Sequence, residues 1–437
     1  MVVYKPESAE QGAALGRSMH DLATELFPIC RSITGGGVRQ TLGIIKRELP
    51  GLQIFEVPSG TPCFDWVIPN EWNIRDAYIL DPGGQKIVDF KQNNLHVVGY
   101  SVPVEGSFSL KELRAHLYTQ PERPDAIPYV TSYYKEHWGF CLPYRQYRAL
   151  ASGTYRVKID TTLQPGSLTY GEILIPGASE REVLLSTYVC HPSLANNELS
   201  GPVVTIALAK WLAEQPRRYS YRIIFIPETI GSIYYLSRHL DHLKRTIDAG
   251  FVVTCVGDDR AYSYMPSRLG GTLADRAALH ALRHSGHDFT RYSFLDRGSD
   301  ERQYCSPGVD LPVASLMRSK YATYPEYHSS DDDLSLITPG GLQGGFKMLR
   351  RAIESIEASR RYRTTTLCEP SLGPRGLEPA TGTNDVAEEV REMMTILAYA
   401  DGNHDLLHVA EMLDVPVAQL VETAARLQQQ NLLAEIG

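Results

Sequence analysis

Apolar positions along this chain fall into two rhythms. From residue 167 onward, short apolar runs at 172–175, 183–189, 221–226, 250–256 and 311–316 alternate with longer stretches of helical spacing near 202–214, 230–245, 272–285 and 339–360. Short bounded runs are strands and the longer stretches are amphipathic helices. Their alternation predicts an α/β sandwich around a mostly parallel sheet. Nearer the N-terminus, Leu15, Met19, Leu22, Ala23 and Leu26 repeat at helical spacing. Leu42, Ile44, Ile45 and Leu49 do so again after Gly35-Gly36-Gly37, and Gln53–Val57 is a short strand.

Two segments break the alternation. Residues 61–165 are rich in aromatics, Pro and Gly, with short β-like pieces at 76–80 and 155–159. They predict a β-rich domain inserted into a discontinuous main domain of residues 1–60 and 166–363. A Gly/Pro/Thr-rich stretch, 364–384, reads as a linker. Beyond it, 385–437 predict three helices, at 386–399, 406–413 and 417–430, with a tight turn at Asp414-Val415-Pro416. That is the pattern of a winged helix-turn-helix.

Composition narrows the function classes. The 437 residues carry a net charge of −8 with no lysine-rich block, so nucleic acid is not an expected partner. The C-terminal module holds two arginines, Arg391 and Arg426, and no lysine, against the basic footprint that DNA reading requires. Its expected role is protein contact, either homo-oligomerisation or closing over a site. No uncharged apolar run approaches the roughly 20 residues that span a bilayer. The N-terminus lacks a signal-peptide pattern. Seven cysteines, with no close pair, suit reduced thiols in a cytoplasm.

The richest chemistry lies in Cys190–Gly201. An apolar run leads into His191, Glu198 follows seven positions later, and a helix begins at Pro202. Such a loop at the carboxyl end of a strand is where open α/β sheets bind ligands. Glu228 ends the next strand beside a helix start, placed to accept and return a proton. Asp258 follows the strand after that, and His328 lies in Tyr327-His328-Ser329-Ser330-Asp331-Asp332, whose acids could orient its ring. Arg297–Tyr304 is densely charged. Two histidines and a carboxylate are the usual ligands of a hydrolytic zinc, with a further carboxylate as base.

These pieces resemble the zinc aminopeptidase clan that includes glutaminyl cyclases and glutamate carboxypeptidases, through residues 10–60 and 167–360. Phe64-Asp65-Trp66, Glu71–Arg75, His137–Cys141 and Gly298–Arg302 look like the bacterial aminopeptidase-like polysaccharide-biosynthesis proteins, which carry an inserted β-rich domain and a C-terminal winged helix. The resemblance implies a first histidine at His191, a last at His328 and a general base at Glu228. It also exposes departures. Thr229 stands at a metal-binding Glu position, Asn197 at the bridging Asp, and Thr254 at the later Asp. The expectation is therefore one zinc, with two as the alternative, held by His191, His328 and Glu198; Asp258 and Asn197 are weaker candidates. The implied activity is hydrolysis of an amide or peptide-like bond in a small peptide-like or aminoacyl substrate. Asp258, Asp300 or Glu301 would hold its amino group by charge pairing, and Arg302, Tyr304 and the aromatics of the insertion would shape its pocket. A single-zinc cyclase, amidohydrolase or acyl-transfer enzyme, and a catalytically lapsed binding fold, are the alternatives.

Overall fold

The computed structural model describes residues 8–377 and 384–436; part of the stretch read as a linker, 378–383, lies outside them. Eight strands form the central sheet: β1 (Gln53–Pro58), β2 (Ser167–Ile175), β3 (Glu182–Tyr188), β4 (Ser220–Ile226), β5 (Ile247–Val252), β6 (Ser263–Met265), β7 (Thr290–Arg291) and β8 (Val313–Met317). Their order is β1-β2-β4-β3-β5-β8-β6-β7. The middle four, β4-β3-β5-β8, are parallel.

Every residue of β3 is buried, as a parallel strand covered on both faces requires. Val183 and Leu185 pack into one apolar layer, Leu184 and Tyr188 into the other. Each such aliphatic side chain contributes about 1.5–3 kcal/mol on burial. One layer holds α1 (Ala9–Leu26), α2 (Gly36–Glu48), α3 (Ser200–Glu214), and, later in the chain, α5 (Leu273–Arg283) and α6 (Pro339–Ala358); α4 (Ile230–Thr246) covers the other face. Caps set the helix starts: Ser8 with Gln11 opens α1, Thr272 with Asp275 opens α5, and Thr338 precedes Pro339 at the first position of α6. The predicted α/β sandwich is present.

Within 61–165, a four-stranded antiparallel sheet forms from 71–80, 86–89, 104–109 and 154–164. It leans back on the main domain through Tyr129 N–H to His328 O (2.8 Å), Ser330 N–H to Ile127 O (2.8 Å) and Asn94 Nδ2 to Ser193 Oγ (2.8 Å).

At the C-terminus, α7 (Asn384–Ala398), α8 (Leu406–Leu413) and α9 (Val417–Gln429) accompany a three-stranded sheet. Its central strand is Arg361–Thr364, flanked by 401–405 and 433–436. The module thus recruits chain from before the stretch read as a linker. Two differences from the sequence reading have simple causes. The run at 250–256 leaves the sheet after Val252, where Cys255 adopts a φ of 51°. Strands β6 and β7 are too short to show a periodicity.

Candidate active site

Register assembles the site. Tyr188 of β3 pairs with Ile226 of β4, so the two chains leave the sheet side by side. His191 follows one strand and Glu228 the other, with His191 Nε2 3.8 Å from Glu228 Oε2.

After His191 the chain enters a π-helical turn, Ala195–Leu199, that runs into α3. All five residues are buried. Asp332 caps this turn: Oδ1 accepts the N–H groups of Ala195 (3.2 Å) and Asn196 (2.6 Å), and Oδ2 accepts that of Asn197 (3.1 Å). Burial pushes the Asp332 carboxyl up to about 6. Asp331 instead pairs with Arg123 of the insertion. Neither acid touches His328 as an orienting group.

Glu198 faces back at His191. Its Oε2 accepts from His191 Nδ1 at 2.9 Å, while Oε1 lies 3.5 Å from Arg31 Nε. Arg31 is itself buried, donating Nε to His191 O (2.9 Å) and Nη1 to Leu26 O (2.7 Å). A carboxylate can only accept, so Nδ1 carries a proton, and in the neutral form of the ring the lone pair is on Nε2. Burial opposes the charged imidazole, but the Glu198 hydrogen bond and the charges of Glu198 and Glu228 outweigh it and raise the His191 pKa.

Glu228 is held from two sides. Its N–H donates to Cys190 Sγ (3.3 Å) and Ser299 Oγ donates to its Oε1 (2.9 Å). Burial raises its pKa against the pull of His191, Ser299 and Arg302. The next residue, Thr229, has a φ of 65°, a strained conformation for a β-branched side chain. It is pinned by its N–H to Asp300 Oδ1 (2.7 Å) and by Arg302 Nη2 to its Oγ1 (2.8 Å). Asp300 also accepts from Ser232 (2.8 Å). Burial and the Glu228 charge push its carboxyl up to about 7.

The remaining expected residues have other surroundings. Glu301 Oε1 accepts from Gly298 N, Ser299 N and Tyr321 Oη (2.7–2.9 Å), holding the loop that carries Ser299. Tyr304 is fully buried, its hydroxyl 2.8 Å from Ser186 Oγ. Asp258 binds Asn196 Nδ2, Ser319 N and Oγ, and Arg260 N (2.8–3.0 Å), which tie the π turn to the loop after β8. Asn197 donates Nδ2 to Tyr188 Oη (2.8 Å), and the same hydroxyl lies 2.6 Å from Thr254 Oγ1. A neutral Asn–Tyr–Thr trio therefore stands where the resemblance placed two carboxylates. The Asn197 Oδ1 is buried with no partner among the described residues.

His328 lies in left-handed backbone (φ 55°), stacked on Tyr327 at 3.9 Å. Its ring centroid is 5.7 Å from that of His191. Burial and the His191 charge push its pKa down to about 3. Its Nε2 is buried without a hydrogen-bond partner among the described residues. Tyr129, from the insertion, packs against both rings at 5.2 and 5.0 Å, with its hydroxyl 3.0 Å from Tyr133 Oη. Beside Glu228, a cavity of about 170 Å³ is walled by Ile33, Trp66, Tyr133, Tyr134 and Ile230.

The ligand-type atoms of Cys190, His191 and Glu198 lie within 4.8 Å of one another. Burial holds the Cys190 thiol well above its ordinary pKa.

The profile of the family described as "Domain of unknown function (DUF4910)" matches residues 20–359. The chain belongs to the DUF4910 family. A winged helix-turn-helix profile matches residues 360–435 of this DUF4910 protein, consistent with a module that opens at the strand Arg361–Thr364. A Clostridium acetobutylicum polysaccharide biosynthesis protein with an aminopeptidase-like domain is 44% identical over 97% of this chain and 98% of its own. A crystal structure of a peptidase from the same organism has a TM-score of 0.91 at 43% identity, covering 98% of each chain. The zinc aminopeptidase BSAP of Bacillus subtilis has a TM-score of 0.56 at 14% identity, covering 80% of this chain and 95% of that one. The DUF4910 domain thus has an aminopeptidase-like fold.

Sequence reasoning missed Arg31, Tyr129, Tyr133, Tyr188 and Ser299 as parts of this site. A lone arginine, tyrosine or serine carries no spacing signal, and Arg31 and Tyr129 reach the site from distant segments.

Proposed function

We propose that this DUF4910 protein hydrolyses an amide or peptide-like bond with one divalent cation, zinc by donor type, and Glu228 as base. The observation that carries this reading is the orientation of His191. Metal-ligating histidines characteristically donate their second ring N–H to a carboxylate, and His191 Nδ1 does so to Glu198. That leaves Nε2 facing Glu228, while the His328 ring, its Nε2 unpartnered among the described residues, has its centroid 5.7 Å from that of His191.

The donor set fits such an ion. His191 and His328 would hold it, both through neutral imidazoles. Asn197 Oδ1 supplies a third, uncharged donor. Glu198 is engaged by His191 and Arg31, which suits an orienting carboxylate. The Tyr188 hydroxyl between Asn197 and Thr254 favours one ion over two, because no bridging carboxylate is present to offset a second dication. When bound, the ion supplies Lewis-acid polarisation of a carbonyl and a lowered pKa for water.

The protein's own groups do the rest. Glu228, its pKa raised by burial, takes a proton from the attacking water and delivers it to the leaving nitrogen. Ser299 holds Oε1, leaving Oε2 toward His191. Tyr129 and Tyr133 keep bulk water from the histidines. The aromatic cavity accepts an apolar part of the substrate. The C. acetobutylicum relative is named for polysaccharide biosynthesis, which favours a biosynthetic amide over a dietary peptide as the bond cleaved.

Metal analysis by mass spectrometry should find about one zinc per chain, lost in His191→Ala and His328→Ala. Glu228→Gln should keep the metal and lower turnover of aminoacyl amides by about 10²–10⁴-fold. A metal-free wild type would sink this reading, and an unimpaired Glu228→Gln would sink the base assignment.

A further inference from the structure

Exposure divides the residues expected to meet the substrate. Asp258, Asp300, Glu301 and Tyr304 are 1% exposed or less, and the three acids are turned to internal donors. Arg302 alone of this set is exposed. Its Nε donates to Ser299 O (3.0 Å) and its Nη2 to Thr229 Oγ1 (2.8 Å). Nη1 bonds nothing among the described residues, and no carboxylate pairs with the guanidinium there. Such a group, fixed along one edge and free at one end, is a fork for a carboxylate. Its charge is felt both by Glu228 and by Tyr327, the ring stacked on His328.

Thr229 joins this cation to the aromatic cavity. It lines the cavity beside Glu228, the one acid in that lining, while its hydroxyl holds Arg302. The resemblance placed a metal-binding glutamate at this position. A carboxylate there would neutralise the guanidinium, whereas a hydroxyl positions it and leaves its charge available. An apolar cavity of about 150 Å³ holds a benzene ring, so the cavity of about 170 Å³ walled by Trp66, Tyr133 and Ile230 takes an aromatic or branched aliphatic side chain.

We infer that the bond cleaved joins an acyl group to the nitrogen of an α-amino acid that has a free carboxylate and an apolar side chain, the carboxylate pairing with Arg302 and the side chain entering the cavity. The two subsites share Thr229, as two substituents of one α-carbon require. Glu228 delivers its proton to the leaving nitrogen, which sets that α-carbon beside residues 228 and 229. In the reaction a water oxygen bonds to the carbonyl carbon, the C–N bond breaks, and the nitrogen leaves with the proton as the amine of the free amino acid. The choice of bond rests on the hydrolase reading; the pairing of a carboxylate with Arg302 can be measured without turnover.

The test compares N-acetylphenylalanine with N-acetylphenylalaninol, which has an alcohol in place of the carboxylate. Wild type should release acetate from the carboxylate compound with a kcat/KM about ten- to a hundredfold higher, the worth of a hydrogen bond between charged groups. Arg302→Gln should erase that preference, chiefly through KM. Trp66→Ala should narrow the preference for N-acetylphenylalanine over N-acetylglycine. Equal turnover of the carboxylate and the alcohol by wild type would overturn the inference without recourse to any variant. An equal loss on both compounds in Arg302→Gln would overturn it too, and would assign the guanidinium to the charges of Glu228 and Asp300. Calorimetry on Glu228→Gln, where hydrolysis is suppressed, should show the carboxylate compound binding more tightly by a similar factor. If wild type cleaves neither compound, the hydrolase reading falls, and the calorimetry alone decides the Arg302 pairing: tighter binding of the carboxylate upholds it and equal binding overturns it.

Discussion

At the scale of the residue, the centre of this molecule is the buried series Arg31, Glu198 and His191. A guanidinium and a carboxylate, both out of water, face each other at 3.5 Å. Removing one member leaves the other uncompensated, at a cost of about 3–5 kcal/mol. Glu198→Gln should therefore lower the urea midpoint strongly, and Arg31→Met should do the same. The double variant should be less destabilised than the two single effects added together, because neither charge is left alone. Strict additivity in urea unfolding would mean that the pair is not coupled. The sequence placed His191, Glu198, Glu228 and His328 at neighbouring strand ends, since a strand, a polar loop and a helix are legible as pattern. It did not show which face of Glu198 meets which partner. That depends on Arg31, 160 positions before His191 and with no periodicity to announce it. The same limit hid the neutral trio of Asn197, Tyr188 and Thr254: the substitutions were visible in the chain, their mutual hydrogen bonds were not.

Among elements, parallel pairing of β3 with β4 fixes the lateral distance between His191 and Glu228, and the π turn presents Asn197 and Glu198 inward together. Element order and type were legible because buried parallel strands read as unbroken apolar runs. The start of the C-terminal module was not, because its central strand, Arg361–Thr364, alternates charged and polar residues and gains meaning only from partners at 401–405 and 433–436. The contact of α9 with α5 carries a pH dependence. His280 Nε2 accepts the Val417 N–H at 2.9 Å. Burial, then the charges of His284, Arg283 and Arg276, push its pKa down to about 4, against a smaller pull from Asp414. In the unfolded chain the value is about 6.5. Between those values the unfolded state takes up a proton that the folded state refuses, so stability falls as pH drops from about 6.5 toward 4. His280→Gln, which can still accept from Val417, should lose less melting temperature between pH 7 and pH 5 than wild type. An identical loss in both proteins would exclude His280 as the source.

For the whole molecule, the winged helix packs against α5 and α6 of the main domain. In a helix-turn-helix, the N-terminal residues of the second helix meet the bases. Here those residues, Val417 and Val421, face a cleft of about 270 Å³ against His280 and His284 of α5 and Arg351 and Glu354 of α6. Arg276 of α5 clamps the module from the other side through Asp405 (2.8 and 2.9 Å) and Glu411 (3.2 Å). Electrophoretic mobility with duplex DNA at low salt should show no binding tighter than about the micromolar non-specific range. Sub-micromolar retardation would mean that the module undocks.

The Tyr129 wedge between the two histidines also sets a clock. Tyr129 and His191 leave the ribosome well before His328, whose carbonyl is what Tyr129 grips. At about 5–20 residues per second, the interval between Tyr129 and His328 lasts roughly ten to forty seconds. For that time Tyr129 has no His328 carbonyl to bind. The pairing of the two imidazoles is thus completed late, once nearly the whole domain has been synthesised, and a chain truncated before residue 328 lacks the second of them.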